Sequence, residues 1–226
     1  MKLKSKLKSA FVQPFSCMML SILAVMGISP LVLAVPARVS LHTPEQDTYK
    51  EPQKLAQFSG ADSPERSQLL QQANALYNQG DFKDAEENLR KFIKKFPEDA
   101  FGHFQLGNAL FQQKKSEEAI SVYREAIRLQ PKYALAYNAI GMAYASQSRW
   151  QEAITEYKKA LEINPNYGEA LTNFALAMWQ TNKKDEALSS LEKALNIFKE
   201  QNRGEKVNQV ERILREIKTV DEPNVS

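Results

Sequence analysis

Catalysis or metal binding requires imidazole, thiolate or carboxylate groups that converge, and this 226-residue sequence supplies few. Its two histidines, His42 and His103, have no partner at ligand spacing, and its single cysteine, Cys17, lies inside an apolar run. Adjacent acids such as Glu86 and Glu87, or Glu117 and Glu118, point apart on a helix, because side chains meet there three or four residues on. No glycine loop that could cradle phosphate and no nucleophile motif is present. The lysine pairs Lys94-Lys95, Lys114-Lys115, Lys158-Lys159 and Lys183-Lys184 are mostly surrounded by acids and read as solvated faces. The expectation is a chain that is not an enzyme and uses no cofactor or metal.

The groups that remain are carried by elements of one kind. From Ser63 onward the apolar spacing is close to 3.6 residues, with Ser63 placed to cap a first helix and Pro64 suited to its first turn. Four rows of 34 residues align: 66–99, 100–133, 134–167 and 168–201. The eighth column reads Ala73, Gly107, Gly141, Ala175, and the twentieth reads Ala85, Ala119, Ala153, Ala187. Antiparallel helices approach closely only where side chains are small, so these columns mark helix crossings. Large residues fill between them: Leu76, Leu110, Tyr144 and Met178 in the eleventh column, Leu89, Tyr123, Tyr157 and Leu191 in the twenty-fourth. Pro97, Pro131 and Pro165 close the first three rows, where a missing amide favours a break between helices. His103 stands in the fourth column with Leu69, Tyr137 and Leu171, which makes it a packing residue.

A 34-residue helix-turn-helix unit with these columns resembles the tetratricopeptide repeat (TPR). The fold expected is an all-α, right-handed TPR superhelix of about four repeats within residues 63–204, followed by a C-terminal capping helix over 205–219. Rows two and three follow the pattern closely. Row one departs with Phe92 where alanine is usual, which predicts a wider crossing, and row four carries Lys199 in place of proline. Gly204 reads as the left-handed stop after the last repeat helix. Beyond it, Val207, Val210, Leu214 and Ile217 form one apolar stripe, as a terminal cap requires.

The resemblance implies that the first helix of each pair lines a concave groove through its second, fifth, sixth, ninth, twelfth and thirteenth positions. The partner-binding set expected there is Asn74 and Tyr77 from row one; Phe101, Phe104, Gln105, Asn108 and Phe111 from row two; Asn138 and Met142 from row three; and Asn173 and Trp179 from row four. Side-chain amides carry donor and acceptor together and could bracket an extended peptide backbone, with aromatic rings and Met142 forming pockets between them. A subset of the family grips terminal carboxylates with cations. Asn74 and Asn108 match its asparagine place, but Leu70, Leu135, Ala139, Phe104 and Glu169 stand where that clamp would not tolerate them.

Ahead of the repeats, residues 1–34 join Lys2, Lys4, Lys6 and Lys8 to an apolar run, the layout of a secretory signal cleaved after Ala34 or of an uncleaved inner-membrane anchor over residues 17–35. Either way the bulk is expected to be exported to a periplasm or comparable lumen. Residues 35–62, with Pro36, Pro44 and Pro52, read as a flexible linker, and 220–226 as a disordered tail. The chain has 30 basic and 27 acidic residues; without the four N-terminal lysines the balance is 26 to 27, so no nucleic-acid partner is expected. The function expected is protein-protein interaction, as an assembly or biogenesis adaptor that binds a peptide segment of a partner. The alternative is a structural or self-associating, homo-oligomeric subunit of a membrane complex that uses helix ends or convex faces.

Overall fold

The computed structural model describes residues 63–219, and among these every regular element is a helix. The expected signal or anchor, the linker and the terminal tail lie outside the described residues. Four antiparallel pairs follow one another: α1 (Pro64–Gln79) with α2 (Phe82–Lys95), α3 (Ala100–Gln112) with α4 (Ser116–Leu129), α5 (Ala134–Ser146) with α6 (Trp150–Ile163), and α7 (Gly168–Gln180) with α8 (Lys184–Glu200). A ninth helix, α9 (Gly204–Thr219), closes the series. Each helix packs on its predecessor and successor, and α5 also adjoins both α3 and α7. This is an α-solenoid, whose stability resides in nearest-neighbour interfaces.

Helix starts are set locally and then tied across repeats. The Ser63 hydroxyl accepts the Arg66 N–H at 3.1 Å, as its position predicts. Asp99 caps α3 by accepting the Gly102 N–H at 2.7 Å on Oδ1, while its Oδ2 accepts from Arg66 Nε at 2.6 Å. One carboxylate thus fixes a helix terminus and joins row two to row one.

Within each pair the turn is the same in backbone and different in sequence. The fifteenth residue of every row is left-handed: Gly80 (φ 86°), Lys114 (62°), Ser148 (59°) and Asn182 (60°). The following N–H then reaches back into the first helix, Asp81 to the Leu76 carbonyl, Lys115 to Leu110, Arg149 to Tyr144 and Lys183 to Met178. The turn after α8 repeats it with Asn202 (57°) and an Arg203 N–H bonded to the Phe198 carbonyl. This corrects the reading of Gly204, which opens α9 and has no positive φ. Asparagine tolerates the left-handed region through local hydrogen bonding, so the stop comes two residues earlier.

The small columns work as crossings. Ala85, Ala119, Ala153 and Ala187 are all fully buried. A methyl on Gly107 would overlap the Tyr123 ring, and one on Gly141 would overlap Tyr157. The bulky Phe92 of row one is accommodated by its neighbour on α3. Its ring is fully buried against α3, at a point where Gly102 offers no side chain to collide with. The cap α9 buries Val210, Ile213, Leu214 and Ile217.

Candidate functional site

The face lined by the odd-numbered helices gathers most of the expected partner-binding residues. Phe104, Asn108 and Phe111 of α3 and Asn138 and Met142 of α5 line one pocket with Leu135, Ala139, Tyr123 and Tyr167. The hollow is small, with room for about one water molecule. Phe104 is held from behind by two tyrosines, its ring centroid 5.8 Å from that of Tyr123 and 5.2 Å from that of Tyr133. Aromatic rings therefore make the wall, while amides and phenols supply its polar atoms.

The asparagines do not wait unpaired for a visitor. Asn108, Asn138 and Asn173 are buried, and the amides bond first to one another. Tyr123 donates its hydroxyl to Asn108 Oδ1 at 2.8 Å, Asn108 Nδ2 donates to Gln105 Oε1 at 2.9 Å, and Gln105 Nε2 donates to Asn74 Oδ1 at 2.7 Å. A second set runs from row four to row three: Asn173 Nδ2 donates to Asn138 Oδ1 at 3.2 Å, and Asn138 Nδ2 lies 3.4 Å from the Tyr167 oxygen and 3.6 Å from the Met142 sulfur. An amide has two donor hydrogens and two acceptor lone pairs, so each keeps capacity for at least one further partner.

Burial moves the phenols away from their ordinary titration range: desolvation raises the Tyr123 hydroxyl well above 10 and also raises Tyr157, so both stay protonated donors. Tyr77 is also raised by burial, partly offset by the hydrogen bond from Gln112 Nε2 at 3.1 Å.

Six of the eleven expected residues are not among the pocket's walls: Asn74, Tyr77, Phe101, Gln105, Asn173 and Trp179. Phe101 is 40% exposed at the start of α3, and Trp179 is half-buried near the end of α7. Four wall residues lie outside the expected set, Tyr123, Leu135, Ala139 and Tyr167, and Tyr167 is the one with no role read from the sequence. Its signal was Tyr133 and Tyr167 in the last column of two consecutive rows, each two residues after a closing proline. His103 is buried, with Nε2 2.9 Å from the Pro97 carbonyl, which gives it a structural bond across the turn. Among the described residues no group of three or more His, Cys, Asp or Glu could hold a metal ion, and no helix is long and apolar enough to cross a membrane.

Comparison with known proteins agrees with this architecture. One family model described as tetratricopeptide repeat matches residues 70–134 and 104–168, and a second with the same description matches 144–205. Among solved structures, a crystal structure of MamA is 30% identical with a TM-score of 0.56, covering 61% of this chain and 81% of that one. The first TPR of Spaghetti (RPAP3), bound to the HSP90 peptide SRMEEVD, is 26% identical with a TM-score of 0.51 over 54% of this chain and 96% of that one. The TPR2B domain of yeast Sti1, in a pHsp70 complex, is 25% identical with a TM-score of 0.51 over 53% and 96%. No curated protein sequence matches.

Proposed function

Because this chain belongs to the tetratricopeptide repeat family, we propose that it is a non-enzymatic scaffold that binds an extended segment of a partner protein along its odd-numbered helices. The observation that carries this reading is the pocket itself, where five residues chosen for a groove line one cavity beside amides with spare hydrogen-bonding capacity. The likeness to a repeat domain solved with a bound HSP90 peptide supports the peptide as the kind of ligand. We place the scaffold outside the cytoplasm, as an assembly or biogenesis adaptor, on the strength of the basic and apolar pattern of residues 1–34.

The test is proximity labelling in the native compartment with the full chain, comparing the unaltered protein with Leu135→Glu and Phe111→Glu. Both residues are half-buried at the pocket, so a carboxylate there blocks an apolar visitor while the helices persist by circular dichroism. The partner set should be lost in both variants and kept in Glu118→Lys, an exposed change on α4. An unchanged partner set in the pocket variants, both still folded, overturns the reading. N-terminal sequencing of the exported protein decides between a cleaved signal and an anchor.

A further inference from the structure

The first helix of each later pair packs against the second helix of the pair before it: α3 on α2, α5 on α4 and α7 on α6. Among the described residues α1 has no such predecessor. The eleventh column shows the effect. Leu110, Tyr144 and Met178 are buried, whereas Leu76 of α1 is only half-buried. Leu69, one turn and a half nearer the start of α1 on the same side, is half-buried too.

The 34-residue register points to what covers this side. One row back from row one, the twenty-fourth column falls on Leu55 and the twenty-seventh on Phe58. In row one the same columns hold Leu89 and Phe92, both fully buried on α2. Leu55-Ala-Gln-Phe58 thus repeats Leu89-Arg-Lys-Phe92 at the distance of one full repeat. Chain length agrees, because Phe58 precedes the start of α1 at Pro64 by nearly the stretch that separates Phe92 from the start of α3 at Ala100. From Leu55 to Gly60 the sequence carries no charge that burial would have to strip of water.

We propose that residues 54–60, which lie outside the described residues, pack across the outer side of α1 in the place that the second helix of a preceding repeat would take, with Leu55 and Phe58 against Leu69 and Leu76. The partner of this face is the chain's own N-terminal segment. The array then opens with a half repeat that shields apolar surface at its end, as terminal units of a solenoid must. The linker ahead of it is correspondingly shorter than residues 35–62. The seat is shallower than the later ones, since Gln68 stands where Gly102 receives Phe92, and Gln72 stands where Leu106 is buried.

The experiment is hydrogen exchange of the full chain, comparing the unaltered protein with Leu55→Asp, Phe58→Asp and Gln57→Asp. Gln57 falls in the twenty-sixth column, where Lys91 of row one is exposed, so its variant adds the same charge without touching the apolar pair. All three positions lie ahead of α1, and circular dichroism checks that the repeats keep their helices. Amides from Leu69 to Leu76 should exchange at least tenfold faster in Leu55→Asp and in Phe58→Asp, those of α5 should be unaffected, and Gln57→Asp should match the unaltered chain. Protection of α1 that stays within twofold in either apolar variant, or that falls equally in Gln57→Asp, overturns the proposal.

Discussion

Tyr123 gives its hydroxyl hydrogen to Asn108 at 2.8 Å, and one repeat later the equivalent Tyr157 is equally buried with its hydroxyl unpartnered among the described residues. The difference lies in a single column. Asn108 follows Gly107, which faces Tyr123, whereas Met142 follows Gly141, which faces Tyr157. A thioether cannot replace the amide oxygen, so the third repeat buries a phenol without a strong acceptor.

The two tyrosines should therefore answer the same substitution in opposite ways. Tyr123→Phe removes a made hydrogen bond and should cost about 1 kcal/mol, while Tyr157→Phe removes an orphaned group and should be neutral or stabilising by up to about 1 kcal/mol. Urea unfolding of the two variants measures this directly. Equal losses would mean that Tyr157 finds a partner after all.

Gly107→Ala and Gly141→Ala should destabilise by about 1 to 3 kcal/mol, because the added methyl overlaps a buried tyrosine ring. That loss exceeds the roughly 0.5 to 1 kcal/mol by which alanine favours a helix over glycine. Gly204→Ala serves as the contrast, with nothing within 4 Å of the new methyl. Thermal midpoints should fall for the first two and hold for the third.

Lys114→Gly and Ser148→Gly should raise stability by up to about 1 kcal/mol, since both residues sit in the left-handed region at φ near 60°. Gly80→Ala should lower it by a similar amount for the converse reason. If calorimetry showed the glycine variants less stable, the turn would have to relax in solution.

Glu86 links repeats one and two by accepting from Lys115 Nζ, Arg90 Nε and Gln113 Nε2, each at 2.8 Å. Burial pushes its carboxyl upward, but the hydrogen bonds from Lys115, Arg90 and Gln113, with the charge of Lys115, outweigh that and hold it at about 2 against an ordinary 4.5. A carboxyl lowered in the folded state adds stability above 4.5 that disappears as pH falls towards 2. Glu86→Gln should accordingly be less stable at pH 7 by about 2 kcal/mol, allowing for the partial exposure of both cations, with the gap closing below pH 4.5. Parallel pH titrations of unfolding midpoint that stay a constant distance apart would refute this.

Row length, helix pairing and helix crossings were legible before any coordinates, because each follows from residues close in sequence. A proline removes an amide wherever it stands, and a column of glycine or alanine has few uses other than close approach. Five of the eleven expected groove residues, Phe104, Asn108, Phe111, Asn138 and Met142, line one small pocket, since helical periodicity decides which side chains share a face.

What only the tertiary structure decided was how those side chains spend their contacts. Nothing in the order of residues says that Asn173 turns to Asn138 or that Gln105 reaches Asn74. Those partners lie some thirty residues apart and meet only when neighbouring repeats stack. The left-handed turns at Lys114 and Ser148 were equally hidden, for the backbone there is set by the packing of the flanking helices against the preference of the residue itself. Local chemistry fixed the repeat and its faces, and the interfaces between repeats fixed which polar groups were already satisfied.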